Sequence, residues 1–251
     1  MSINPIVLIY SHSSCEDLLL VCLSRIEKYM PWTKYAVCID NKTWFKDKFP
    51  NFKYDNVYEY DNSTPYATRL MDVLSQMTDR YIILLHENNV FVDFVQKERF
   101  MDMCKDFHNL NGDQLRLFYA GVSSSEKKTD LLYSLINGYF YSTCPTLWKR
   151  ESLLTLVKRF KHLPYKGFEM CDEMQHYTQK ELNNYLLKHQ DDYRFPGESH
   201  YYSHVFPFTH VTRESQWVNN GPGVDKFLDD IFNEFKIDRT IRGMHIHAFN
   251  H

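Results

Sequence analysis

Residues 81–92 read YIILLHENNVFV, and how that break is interpreted decides the fold. Tyr81 to Leu85 suit a buried strand. His86, Glu87, Asn88 and Asn89 then interrupt it before apolar residues resume. Burying those four polar side chains unpaired would cost several kcal/mol. The cluster is therefore expected at the exposed end of a strand, facing solvent or a ligand.

Upstream, residues 5–10 (PIVLIY) read as a first strand ending in Ser11-His12. A helix is expected next, with Ser13 and Glu16 spaced as a capping box. Leu19, Cys22, Leu23, Ile26 and Met30 give it one apolar face, and Pro31 ends it. Residues 35–39 (YAVCI) form a second buried strand, closing on Asp40-Asn41. The right-handed crossover rule makes these two strands parallel. Residues 53–60 read as a third, more polar strand. Thr64-Pro65 opens a helix with Tyr66, Leu70, Val73, Leu74 and Met77 on its apolar face and Arg69 off it.

After the polar break, a long amphipathic helix is expected to about residue 108, then a strand at 117–120. Residues 123–130 (SSSEKKTD) are the most loop-like stretch. Further on the pattern predicts a strand at 139–143, helices at 148–160 and 168–189, a strand or hairpin at 201–212 and a last helix at 224–235. Strands alternating with helices in the first half argue for a parallel α/β sheet, with a mixed second half appended to it.

The chain has 251 residues, 43% of them apolar and 24% charged, with 16% aromatic residues and a net charge of −3. That charge makes no case for a nucleic-acid partner. No apolar run approaches a bilayer span, and residues 1–10 do not read as a signal peptide. The six cysteines contain no CxxC pair and are expected as reduced thiols. GxGxxG, GxxxxGK[ST], GxSxG and HExxH are all missing from the sequence. Their lack argues against dehydrogenases, P-loop enzymes, α/β-hydrolases and zincin proteases.

In open α/β sheets ligands bind beyond the carboxyl ends of the strands. Ser11-His12, Asp40-Asn41 and His86-Glu87-Asn88-Asn89 are three such ends. Asp40 could accept from a base or a ribose hydroxyl, or simply cap a turn. Arg69 could meet a phosphate bidentately. Glu169, Asp172, Glu173 and His176 share a helical face. There a carboxylate with a raised pKa could serve as general base, or the cluster could be an acidic helix start. His200, His204 and His210 could join Glu87 in a mixed oxygen and nitrogen metal site, or be hydrogen-bonded structural residues.

In chain order, SHSS at 11–14, DLLLVCL at 17–23, the helix bearing Arg69, YIILLHENNVF, FYSTCPTLWKRESLL at 140–154, GFE at 167–169 and RESQW at 213–217 form a layout. It resembles a GT-A glycosyltransferase, especially the small nucleotide-sugar-dependent enzymes of large DNA viruses and bacteria, over roughly residues 4–225. The resemblance implies an α/β, Rossmann-like single domain over 1–251 with a mostly parallel central sheet flanked by helices. Residues 1–122 would bind the nucleotide-sugar and 123–251 the acceptor. It also implies transfer of a hexosyl or pentosyl group from a nucleoside-diphosphate sugar to a hydroxyl of a glycan or glycoconjugate, with inversion favoured, in the cytoplasm (the host's, if the source is viral).

Ser11, His12, Asp40, Arg69, Glu87, Asn88 and Asn89 would hold the donor, and Glu169 or Asp172 would act on the acceptor. In that family, carboxylates at the position of Glu87-Asn88-Asn89 hold Mn²⁺ or Mg²⁺, and hard cations want anionic oxygens. Here one carboxylate and two amides stand in their place. Glu87 and His210 are the candidate metal ligands, and metal-free catalysis is the alternative. The same depletion leaves open a sugar-nucleotide- or glycan-binding module without turnover.

Overall fold

The computed structural model describes residues 3–118, 122–138, 140–163, 167–168, 170–187, 205–213, 216–219 and 222–246. It opens with β1 (Ile6–Tyr10), a 3-10 turn at Ser13–Cys15 and α1 (Glu16–Tyr29). Then follow β2 (Tyr35–Ile39), α2 (Lys42–Lys48), β3 (Asn56–Glu59), α3 (Tyr66–Gln76) and β4 (Tyr81–His86). Next come β5 (Asn89–Phe91), α4 (Lys97–Asn109), β6 (Gln114–Arg116), the pair β7 (Val122–Lys127) and β8 (Leu132–Gly138), β9 (Thr146–Lys149) and α5 (Arg150–Arg159). The rest comprises α6 (Asp172–Glu181), β10 (Asn184–Leu187), β11 (Phe208–His210), β12 (Thr212–Arg213), β13 (Gln216–Asn219), α7 (Pro222–Phe235) and β14 (Met244–Ile246).

Nine strands form one sheet in the order β3-β2-β1-β4-β9-β6-β10-β8-β7. The four leading strands are mutually parallel, and β8 and β9 run against the other seven. The expected α/β architecture, a mostly parallel central sheet flanked by helices, is the one observed. β1, β2 and β4 are buried at every position, as strands covered on both faces must be. Along β1 the side chains alternate between two cores. Val7 and Ile9 pack with α1 and α4, while Ile6, Leu8 and Tyr10 pack with α3 and α5. A third cluster joins the outer side of α1, through Leu18 and Val21, to Trp217 and to Leu228, Ile231 and Phe232 of α7.

Several expectations are corrected. The capping box at Ser13 and Glu16 does not form: α1 begins after Cys15 with no side-chain cap, because Ser13 is engaged elsewhere, as described below. Residues 122–127 are a strand, not a loop; they form the outer edge of the sheet, where one face meets water and no apolar alternation is needed. Residues 146–149 are a strand leading into α5, and residues 140–143 are irregular, so the predicted strand at 139–143 is β8 displaced by several residues. The helix expected over 168–189 gives way at Glu181 to β10, and α2 was not expected at all. The strand expected at 117–120 is seen as β6 three residues earlier.

Gly112 closes the end of α4, where a built Cβ would lie 2.1 Å from Cε2 of the buried Phe107 ring. Gly112→Ala is expected to cost about 1–3 kcal/mol by overpacking, read as a lower urea midpoint. An unchanged midpoint would show that the α4 end can yield.

Candidate functional site

The register of the sheet sets the site. Tyr10 lies opposite Cys38 of β2 and His86 of β4, so three strands end level. The backbone continues the pattern one step further: Ser11 N donates to Cys38 O at 3.0 Å, Glu87 N to Tyr10 O at 3.3 Å and Tyr60 N to Ile39 O at 3.0 Å. Ser11, Asp40, Tyr60 and Glu87 are thereby brought to adjacent strand tips.

Asp40 organises one side. Its Oδ1 accepts from Ser13 N at 2.7 Å and its Oδ2 from the Ser13 hydroxyl at 2.8 Å. His12 Nε2 lies 3.1 Å from the same Oδ2. His12 Nδ1 accepts from Ser14 N at 3.1 Å, and its Nε2 also lies 2.9 Å from Asn62 Nδ2. Asn41 caps α2 by accepting from Trp44 N at 2.9 Å. Of the two sequence readings of Asp40, the structure shows the turn cap.

Next to it lies an aromatic and cationic wall. Tyr10 and Tyr60 stack with centroids 5.2 Å apart, and Tyr60 donates to Ser11 O at 2.7 Å. Burial pushes the Tyr10 phenol up to about 12. Arg69 lies over the Tyr60 ring at 5.2 Å. It donates to Thr64 O at 2.7 Å, Asn62 O at 2.5 Å and Tyr10 Oη at 3.5 Å. All three partners are neutral, and among the described residues no carboxylate lies within ion-pair distance of this guanidinium. It borders a cavity of about 450 Å³ lined by Tyr10, Ser63, Thr64, Pro65, Tyr66, Arg69 and His162.

At the β4 tip, His86 is buried and its Nε2 lies 3.2 Å from the Tyr66 hydroxyl. Burial, reinforced by the neighbouring His210, lowers its pKa to about 4, so it is neutral at pH 7. Glu87 is half-buried. Burial raises its carboxyl above the ordinary range, opposed by the Cys15 thiol and the Arg242 guanidinium beside it. Arg242 is itself clamped bidentately by Asp17, at 2.6 Å and 2.5 Å. Asn88 and Asn89 turn inward: Asn88 Nδ2 donates to Thr212 O at 3.5 Å, and Asn89 Nδ2 donates to His86 O at 3.2 Å and Asn88 Oδ1 at 3.0 Å.

The donor set does not fit a divalent cation. The triplet offers one carboxylate, and a guanidinium stands beside it. His210 Nε2 faces Cys144 Sγ at 3.2 Å, whereas the neighbours of Glu87 are Cys15, Asp17 and Arg242. Among the described residues no three His, Cys, Asp or Glu side chains converge as a metal site would require.

Asp172 is exposed in the first turn of α6, and Glu173 faces Arg159 at 3.9 Å. Glu169, His200 and His204 lie outside the described residues. Phe168 packs edge-on against Tyr66 at 5.8 Å. The sequence reading missed Tyr60, His162, Arg242, Asp17 and Cys15. Tyr60 alone carried a signal, as the last aromatic of the alternating third strand. Among the described residues no helix is long and apolar enough to cross a membrane.

No known protein family matches the sequence, and no curated protein does. Among solved structures, the chain is similar to S. aureus TarS, at 14% identity and TM-score 0.48 over 95% of this chain and 41% of that one. The TarS fragment 1–349 in complex with UDP gives 15% and 0.47 over 79% and 60%. The bifunctional IspDF of Campylobacter jejuni gives 14% and 0.44 over 76% and 51%. The chain thus spans 60% or less of the length of the chains in these three structures. With TM-scores below 0.5, none of them speaks to what this chain binds.

The buried His86 makes a pH prediction. Its folded pKa lies below the unfolded value, so above about pH 6.5 it costs nothing. As pH falls from about 6.5 to about 4 the unfolded chain takes a proton that the folded one refuses, and stability is lost. His86→Gln removes this term. The unfolding free energy of the wild type relative to the variant is expected to be constant above about pH 6.5 and to fall below it. A difference independent of pH would show that His86 is not held neutral.

Proposed function

We propose that this chain transfers a glycosyl group from a nucleoside-diphosphate sugar to a hydroxyl of a glycan acceptor. The observation that supports this best is the level row of polar strand tips beside an open cavity walled by a guanidinium that, among the described residues, has no carboxylate within ion-pair distance. A half-buried cation paired, among the described residues, with carbonyls and a phenol retains its charge for an anion, and arginine suits phosphate oxygens in particular. Asp40 already orders the turn after β1, so a nucleoside donor group would meet a preformed carboxylate on its remaining lone pairs. Glu87, held near the tip with a raised pKa, would face the ribose or diphosphate.

In the reaction the acceptor oxygen attacks the anomeric carbon, forming the new C–O bond as the bond to the diphosphate breaks. Glu169 or Asp172 takes the acceptor's proton, and the nucleoside diphosphate leaves with the electron pair. Arg69 meets the charge that develops on it. Attack opposite the leaving group gives inversion. No step runs through a metal ion, because the donor set at the β4 tip does not suit one.

A second reading, a sugar-nucleotide-binding module without turnover, is favoured by the inward hydrogen bonds of Asn88 and Asn89. Calorimetry against UDP-, GDP-, CMP- and dTDP-sugars tests both. At least one donor is expected to bind, equally with or without chelator, and Arg69→Ala is expected to weaken it by about tenfold or more. Absence of binding across the panel would remove both readings. Donor turnover lost in Asp172→Asn or Glu169→Gln supports the transferase; tight binding with no turnover supports the module.

A further inference from the structure

Two residues bordering the cavity beside the strand tips can carry positive charge, Arg69 and His162. They come from different elements. Arg69 lies in the first turn of α3, and His162 in the turn that follows α5. A hydrogen bond between their chain neighbours fastens the two segments: the Thr68 hydroxyl donates to Lys161 O at 2.9 Å. On the other side of His162, Leu163 N donates to Phe160 O at 3.0 Å. Phe160 and Leu163 both pack into the α3–α5 core. The backbone is therefore held on each side of His162, at a place where it borders the same cavity as Arg69.

His162 is exposed and, among the described residues, has no hydrogen-bond or ion-pair partner. None of the other residues lining the cavity, Tyr10, Ser63, Thr64, Pro65 and Tyr66, is acidic. Asp61, in the adjoining loop, directs its Oδ1 to the amide and hydroxyl of Ser63, at 2.8 Å and 2.7 Å. Arg69 cannot offer its whole fork to a ligand. Its Nε and Nη2 already donate to Thr64 O and Asn62 O, and its Nη1 to Tyr10 Oη.

Breaking the bond to the sugar adds negative charge to the departing diphosphate, and a site stabilises that charge with donors set in place beforehand. The β4 tip lacks the donor set for a divalent cation, so side chains have to supply the compensation. An imidazole donates an N–H to a phosphate oxygen, and with protons on both nitrogens it is a cation as well. We propose that His162 is the second diphosphate ligand of this site, binding phosphate oxygens that the partly engaged Arg69 leaves open. The assignment rests on the donor reading given above and deepens it. His162 touches the diphosphate alone, and bond making and breaking at the anomeric carbon are unchanged.

UDP, GDP, CDP and dTDP are titrated by calorimetry into the full chain in the presence of chelator, and the tightest binder is carried forward. His162→Ala is expected to weaken that nucleotide by about tenfold, the loss of one hydrogen bond to a charged group. His162→Lys, which restores a cation at the same place, is expected to recover most of the loss. Because His162 is exposed and unpaired among the described residues, neither variant is expected to move the urea midpoint. Equal affinity in wild type and His162→Ala overturns the assignment and leaves the donor reading standing. Weakening in His162→Ala with no recovery in His162→Lys also overturns it, since the side chain then acts through packing and not through charge. No binding of any of the four by the wild type removes the donor reading and this assignment with it.

Discussion

Asp40 ties the end of β2 to the turn that follows β1, and the shape of the site depends on that tie. One carboxylate accepts from the amide and hydroxyl of Ser13 and faces the ring of His12. Hydrogen bonds to an ionised group contribute about 1.5–3 kcal/mol each, enough to hold a short 3-10 turn that would otherwise fray. The turn then feeds α1 at a fixed angle, and α1 carries Asp17, the anchor of Arg242 and thus of the chain's last described segment. The Asp17–Arg242 clamp adds to the α1–α7 core and the pairing of β11 with β5 in holding the later elements near the β4 tip.

Two chemical environments result on either side of the tips. Toward α3 the wall is aromatic and cationic, with Tyr10, Tyr60 and Arg69 in contact and no carboxylate in ion-pair reach of the guanidinium among the described residues. Toward α1 the Arg242 guanidinium is committed to Asp17, with Glu87 near enough to feel its charge. An incoming polyanion gains from the first. Asn88 and Asn89 direct their side-chain N–H groups to Thr212 O, His86 O and Asn88 Oδ1 around the turn between β4 and β5.

The central strands were legible because strands buried on both faces must be continuously apolar; β1, β2 and β4 stood out for that reason, and their polar ends marked the site edge. The far half of the sheet was not. β6 is three residues long and buries Gln114 and Arg116, which no hydropathy pattern announces. β9 was read as the start of a helix, because Trp148, Leu153 and Leu156 also fit a helical stripe. Ser13 illustrates the same limit within the site. Its spacing to Glu16 is a local signal, but its partner lies 27 residues away, and the distant charged acceptor prevailed over the local cap. Arg242 and the Cys144–His210 pair are contacts of the same long-range kind, with no local pattern to betray them.

The central claim is that the level tips of β1, β2 and β4 form the cradle of a nucleoside diphosphate. A crystal structure grown with a saturating nucleoside-diphosphate sugar tests it most directly. The account predicts the diphosphate beside Arg69 and the Glu87 turn, with the nucleoside within hydrogen-bond reach of Asp40. Density for the ligand at any other place on the molecule would contradict it.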